Sequence, residues 1–334
     1  MIRTFTNTDG RFVHSGDTLE HLDGAVWVDM LRPDRDEETA VERALGIDVP
    51  TIEEMSEIEV SSRLYTEDGA TFMTAMMLSH TDADNVLLSP ITFILKGEQL
   101  ITVRYAEPRS IDAFIVRCQK NSTYTADGVV TGLLEGLIER IGDVLERTGH
   151  ELDSLSDNIF AINAPKVMGG EPAETKKPPK PKPRNYQAVL QQIGRKGDLL
   201  SKARESLISF QRLLTFGAEI AASRKPGKEY EGRIRTLSRD VQSLSDHTTF
   251  LTQKINFLLD ATLGMINIEQ TGIIKIFSVA AVVFLPPTLI ASIYGMNFEV
   301  MPELSWPLGY PMAIGMMILS AVVPYQFFKW RGWL

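Results

Sequence analysis

The chain has 334 residues and a formal net charge of −9, which leaves room for more than one domain and disfavours nucleic acid as a partner. Its single cysteine, Cys118, excludes a disulfide framework or a cysteine-based metal site within one chain and reads as a buried structural thiol. The mean hydropathy of −0.04 averages a charged majority with two long uncharged runs near the C-terminus.

In chain order, Met1–Asn7 lacks the apolar core of a signal peptide, so the N-terminal part is expected to stay in the cytoplasm. Residues 1–150 carry 27 Asp and Glu against 13 Lys and Arg, an acidic surface that permits cation binding. Residues 1–125 read as mixed α/β. Val26–Met30 is expected to be a short strand. Pro33–Leu45 is expected to be a helix, with acids in its first turns and Gly46 as its stop. Thr51–Ile58 is expected to be a short helix with capping-box spacing at Thr51 and Glu54. Two hairpins follow: Arg63–Tyr65 and Thr71–Met77 around Asp68-Gly69, then Ile91–Leu95 and Leu100–Tyr105 around Lys96–Gln99.

Helical patterns occupy 126–229, from about Asp127 to Ala161 and again from Tyr186 to Ala222. Between them, 164–184 holds Pro165, Pro172, Pro178, Pro179, Pro181 and Pro183 together with five lysines. This composition cannot bury a core and reads as a solvated, extended loop. A stalk helix is expected over 230–272. Ile234, Leu237, Val241, Leu244, Thr248, Leu251, Ile255, Leu258, Thr262 and Met265 recur at alternating spacings of three and four. This is a heptad seam, expected to bring copies of the helix around an axis and, on another face, to pack against the 186–222 helix.

Ile276–Tyr294 and Leu308–Phe328 are 19 and 21 residues without a charge, long enough to cross a bilayer core of about 30 Å. The spans are expected at 273–294 and 308–328, joined by an outer loop at 295–307. Lys275 precedes the first span, Lys329 and Arg331 follow the second, and the loop carries Glu299 and Glu303 without a base. The positive-inside rule therefore puts the loop outside and both termini, including the 329–334 tail, in the cytoplasm.

No phosphate-binding glycine loop and no His-Glu-x-x-His pattern occurs, and the five histidines are scattered, so neither an enzyme nor an ATP-driven pump is expected. The first span is more informative. Thr271, Ile274, Ser278, Ala281, Leu285, Thr288 and Ser292 form one stripe at spacings of three and four. Such a stripe serves helix packing in any membrane bundle, or lines a pore when a symmetric oligomer turns it to the axis. Pro286 and Pro287 each remove a backbone donor, which frees the carbonyls of Val282 and Val283 or simply kinks the helix.

At Tyr294-Gly295-Met296-Asn297 the sequence resembles the CorA magnesium transporters, marked by Gly-Met-Asn at the outer end of the first of two C-terminal spans. Asn267–Gln270, Ile274–Ser278, Phe284–Leu289, Tyr294–Leu304, Gly309–Pro311 and the Trp333-Leu334 terminus share the likeness. The resemblance implies an α+β cytosolic metal-sensing domain, a long stalk helix and a two-helix transmembrane hairpin, assembled as a homopentameric funnel in a bacterial inner membrane. It implies a pore lined by the stripe and Phe277, with Ile274, Phe277 and Leu285 forming apolar rings. Gly295, Met296 and Asn297 would form the outer mouth: Gly295 would let the backbone turn, Tyr294 and Met296 would pack that turn, and Asn297 amides would hold the waters of a hydrated ion. Glu299 and Glu303 would gather cations. Mg²⁺ is the implied substrate and regulatory ligand, with no separate cofactor, and Co²⁺ or Ni²⁺ are further substrates. Asp240, Asp246 and Asp260 are candidate regulatory ligands. Membrane potential would drive influx, gaining roughly 4.6 kcal/mol for a divalent ion at about 100 mV. The implied partners are further copies of the chain, membrane lipid and divalent cations. Thr271 departs from the asparagine of close relatives. The alternatives are a Zn²⁺ carrier of the same superfamily and a membrane-anchored coiled-coil scaffold.

Overall fold

The computed structural model describes residues 1–16, 22, 24–59, 61–81, 86–118, 123–160, 185–224, 228–297, 301–302 and 306–332. The Pro/Lys loop at 164–184 and the acidic pair Glu299 and Glu303 lie outside the described residues. The chain divides into two compact units, Met1–Leu259 and Asp260–Leu334.

The first unit is built on a seven-stranded sheet in the order β2-β1-β3-β7-β6-β5-β4. Its strands are β1 (Ile2–Thr8), β2 (Arg11–Gly16), β3 (Trp27–Leu31), β4 (Leu64–Glu67), β5 (Ala70–Ser79), β6 (Leu87–Lys96) and β7 (Gln99–Arg104). The central pair β3 and β7 is parallel and the remaining pairs are antiparallel. The expected Asp68-Gly69 turn joins β4 to β5, with both residues left-handed at φ 47° and 74°, the twist a two-residue hairpin requires. Asp9-Gly10 does the same for β1 and β2, at φ 51° and 75°.

Helices cover both faces of the sheet, so β3, β5, β6 and β7 are buried over most of their length, while the outer strands β2 and β4 stay more exposed. On one face Val28, Met30, Ile101 and Val103 pack with Val41 of α1 (Arg35–Leu45) and Met55 of α2 (Ile52–Met55). The capping boxes at Asp34/Glu37 and Thr51/Glu54 start these helices. α2 stops at Met55 and does not reach Ile58, which is 90% exposed. On the other face Phe5 stacks on Trp27 at 4.5 Å, and Trp27 meets Phe114 of α3 (Arg109–Cys118) edge-on at 6.1 Å.

Asp29 is buried at the centre of this second face. It accepts from Arg104 Nε and Nη2, each at 2.9 Å, from Arg3 Nε and Nη2 at 3.1 and 2.7 Å, and from Thr102 Oγ1 at 2.8 Å. Trp27 Nε1 donates to Thr102 Oγ1 at 2.9 Å and extends the network. Burial alone would raise the Asp29 pKa, but the hydrogen bonds and charge of Arg104, then of Arg3, hold it below the usual carboxylate range. One carboxylate thus registers β1, β3 and β7.

Three long helices complete the unit: α4 (Ala126–Phe160), α5 (Tyr186–Arg224) and the first part of α6 (Lys228–Tyr294). α5 lies on β5, where Ser206 Oγ donates to Met76 O at 2.6 Å and Ser209 Oγ accepts from Met76 N at 2.9 Å. The heptad seam of α6 is covered inside the chain by α4, while the start of α6 also meets the 186–222 helix, where a Cβ on Gly217 of α5 would stand 3.5 Å from Tyr230 Oη. Ile234, Leu237, Val241, Thr248, Leu251, Ile255 and Leu258 are buried in the single chain. Arg233 reaches Thr131 Oγ1 at 3.4 Å, Lys254 pairs with Asp153, and Phe257 stacks on Phe160 at 5.8 Å. A methyl added at Gly142 or Gly149 would stand 3.6 Å from Leu244 or Leu251 respectively. The partner numbers rise together, so α4 and α6 run parallel and a seven-residue glycine repeat faces a seven-residue leucine repeat. α5 is held alongside α4 by the Lys196–Glu151 pair.

Candidate ion pathway

The second unit contains the end of α6 and all of α7 (Gly309–Trp330). Both helices contain a run long and apolar enough to cross a membrane. On α6, Val279, Val283, Pro287 and Ile290 are half-covered. On α7, Ala313 is buried and Met317, Ser320 and Pro324 are half-covered. Each set recurs every three to four residues, as expected where two helices cover one another along a stripe. Thr271, Ile274, Ser278, Ala281, Leu285, Thr288 and Ser292 are all exposed in the single chain. At about 100° per residue, this stripe lies roughly half a turn from the half-covered face of α6. The hydroxyl stripe therefore lies off the half-covered face of α6. Phe277 stands at the margin of the stripe, 71% exposed, while Ile274 and Leu285 are 63% and 65% exposed.

The stripe hydroxyls have a definite polarity. Thr271 Oγ1 donates to Asn267 O at 2.7 Å, and Thr288 Oγ1 donates to Phe284 O at 2.9 Å and to Leu285 O at 2.8 Å. A hydroxyl has one proton and two lone pairs. With the proton committed to the backbone, each oxygen presents lone pairs outward, as a cation or the water shell of a cation requires. Pro286 and Pro287 stand within the helix immediately before Thr288 and remove the backbone donors that would bond the carbonyls of Val282 and Val283.

α6 ends at Tyr294. Gly295 N donates to Ala291 O at 2.9 Å and Met296 N to Ile293 O at 3.3 Å, a final tightened turn. The backbone leaves the helix at Gly295 without a left-handed residue, since Gly295 is not among the glycines of positive φ. A Cβ there would stand 3.1 Å from Ala291 O, and the small residue relieves that contact. Met296 is 48% exposed in the single chain. Asn297 is exposed and follows directly.

Asp240, Asp246 and Asp260 are all exposed and stand at separate levels of α6. Asp246 accepts from Gln242 Nε2 at 3.1 Å. Among the described residues, no group of three His, Cys, Asp or Glu is placed to hold a metal within one chain. Two features escaped the sequence reading. The Asp29–Arg3–Arg104 cluster joins Asp29 to residues 26 and 75 positions away on either side, and no local pattern announces it. The β1–β2 hairpin carried a usable signal in Asp9-Gly10 between β-prone runs.

A mixed-sheet unit and a long helix that continues into the first of two candidate spans, with an exposed hydroxyl stripe, are the architecture of a two-span membrane protein. The family model described as "CorA-like Mg2+ transporter protein" matches residues 23–171 and 188–329. The chain is 35% identical over 340 residues to the magnesium transport protein CorA of Pasteurella multocida, covering 100% of both chains. It is 36% identical over 315 residues to that of Escherichia coli K12, covering 94% of this chain and 93% of the relative. The solved CorA magnesium transporter of Methanocaldococcus jannaschii superposes with a TM-score of 0.76 at 18% identity, covering 100% of this chain and 99% of that one. The cytoplasmic domain of ZntB from Vibrio parahaemolyticus shares the fold more distantly, with a TM-score of 0.51 at 13% identity over 79% of this chain and 97% of that one. The chain belongs to the CorA-like Mg²⁺ transporter family, whose members named here are transport proteins and not enzymes.

Proposed function

We propose that this chain conducts Mg²⁺ into the bacterial cytoplasm through a pore on the axis of a homopentamer in the inner membrane. The observation that supports this reading best is the placement of the hydroxyl stripe. It lies opposite the half-covered face of α6, exposed in the single chain, with its threonine protons turned inward to the backbone. Neighbouring copies then cover it and close a lumen of acceptor oxygens alternating with the apolar levels of Ile274, Phe277 and Leu285, where dewetting closes the gate. Asn297 and its neighbours Gly295 and Met296 form the mouth, where neutral amide oxygens hold Mg²⁺ through its reluctantly shed water. Glu299 and Glu303 concentrate cations in front of it.

Lys275, Lys329 and Arg331 stand at one end of the two spans, which puts that end and both termini in the cytoplasm. Membrane potential drives the ion inward. Self-association draws on a face of α6 outside the buried seam, where Phe250 and Phe257 are 57% and 59% exposed and seven residues apart. Intracellular Mg²⁺ closes the pore by binding between cytosolic units, with Asp240, Asp246 or Asp260 completing the coordination on a neighbouring copy.

Ion uptake into proteoliposomes at fixed potential tests this, with Mg²⁺, Co²⁺, Ni²⁺ and Zn²⁺ compared in parallel. Mg²⁺ uptake is expected, and Asn297→Ala is expected to lower it at least ten-fold without changing the melting temperature. Undiminished flux in that variant would sink the mouth assignment. Zn²⁺ uptake that requires a pH gradient would favour the zinc carrier.

A further inference from the structure

The second unit has three basic residues, Lys275, Lys329 and Arg331, all exposed and all at the same end of the spans. Among the described residues none of the three has an ion-pair partner. The guanidinium of Arg331 lies over the ring of Phe327 at 5.7 Å and over that of Trp330 at 6.0 Å. Trp330 itself is 80% exposed. Backbone geometry fixes this cluster at the helix end. Arg331 is the C-cap of α7, its N–H donating to Phe327 O and Lys329 O, and Gly332 follows in the left-handed conformation at φ 71°.

Stacking on aromatic faces uses the flat surface of the guanidinium and leaves its in-plane N–H fork free, the geometry that grips a phosphate in two places. An exposed tryptophan at the end of a span belongs at the headgroup level of a bilayer. Aromatic body, cationic fork and ammonium together match one chemistry, a phosphodiester at the surface of an apolar phase that carries net negative charge.

We propose that the inner end of α7 binds an anionic phospholipid of the cytoplasmic leaflet, with Arg331 on its phosphate, Trp330 beside its glycerol and Lys329 adding positive charge at the same helix end. The inference rests on the orientation proposed above. It goes beyond generic residence in a membrane because it requires a charged headgroup at one end of one helix.

The test uses the full chain in nanodiscs of phosphatidylcholine with or without phosphatidylglycerol, reading retained lipid by native mass spectrometry. The wild type is expected to retain phosphatidylglycerol over phosphatidylcholine. Lys329→Gln and Arg331→Gln should each lower that preference roughly five-fold, equivalent to about 1 kcal/mol per basic residue near an anionic surface. Arg331→Lys keeps the charge without the fork and should fall between, which guards against reading a folding defect as lost binding. Equal retention by the wild type and the double glutamine variant would overturn the proposal. So would retention of phosphatidylcholine as strongly as phosphatidylglycerol, or full displacement by soluble glycerol phosphate, which would mark a site for free phosphate. Mg²⁺ uptake in liposomes of the same lipids is a separate readout. Uptake without lipid preference defeats this inference alone, and lipid preference without uptake defeats the transport reading alone.

Discussion

The two units of this chain treat apolar surface in opposite ways. In Met1–Leu259 both faces of the sheet are covered by helices, and the heptad seam of α6 is filled by α4 of the same chain. Among the described residues of Asp260–Leu334 only Ala313 is a buried hydrophobic, while Phe277, Leu285, Ile318 and Leu319 are each at least 60% exposed. The first unit completes its own core in water. The second needs lipid on some faces and, in the proposed assembly, further copies on others, because two helices alone cannot cover one another all round. Substitutions in the first unit should therefore appear in stability, and substitutions on the stripe and mouth of the second in flux.

The largest stability effect is expected at Asp29. Asp29→Asn keeps the shape but leaves the buried Arg104 without its ion-pair partner, while Arg3 keeps only the longer pair with Asp112 at 3.6 Å. Removing one partner of a buried pair typically costs about 3–5 kcal/mol, so thermal unfolding of the full chain should begin at markedly lower temperature. The pH dependence has a definite sign. A depressed carboxylate adds stability at pH values above its unfolded pKa of about 3.9, and that stability is lost as pH falls through this value toward the lower folded one. The wild-type melting temperature should be insensitive to this group from pH 7 to 5 and fall below pH 4. Asp29→Asn should flatten that acid limb. An unchanged limb would mean that the cluster does not govern the acid stability of the first unit.

How much of this was legible beforehand differed between the units for a physical reason. Spans and stripe are written in short-range spacing, because a lipid-facing helix needs only length and periodicity to be recognised, whereas the proposed mouth rests on the resemblance at Tyr294–Asn297. The seam was legible as a seam but not as to partner: heptad spacing specifies a helix to pack against, not which chain supplies it. Gly142 and Gly149 were the available clue, since two glycines seven residues apart on α4 leave room for leucines seven apart on α6. The Asp29 cluster was illegible, because Asp29 reads as an ordinary polar residue in a strand until β1 and β7 bring Arg3 and Arg104 beside it.

The glycines of α4 give a smaller and more local test of the self-sufficient core. A Cβ on Gly132 would stand 2.3 Å from Phe114 Cε2, and Phe114 is pinned between Trp27 and Tyr124 at 6.1 Å from each. Gly132→Ala should cost about 1–3 kcal/mol, as overpacking commonly does. Gly142→Ala meets Leu244 at an ordinary 3.6 Å and gains helix propensity, so its melting temperature should match or exceed the wild type. If the two variants melted alike, the close packing of α3 on α4 would be wrong.

The smallest effect concerns Cys118, the last residue of α3. Burial pushes its thiol up to about 11, against the opposing pull of a hydrogen bond with Tyr124 and the charge of Arg117. At pH 8 roughly one thiol in a thousand is then ionised, and the side chain is fully buried besides. An alkylating reagent should leave the native protein almost unlabelled over minutes and label it completely in denaturant. Because Cys118 sits beneath α3 on the aromatic face of the sheet, its labelling rate measures opening of the first unit. Asn297→Ala, confined to the proposed mouth, should leave that rate unchanged, whereas Asp29→Asn should raise it. If Asn297→Ala raised it too, the two units would share one cooperative unfolding event, and the division between self-sufficient and assembly-dependent regions would fail.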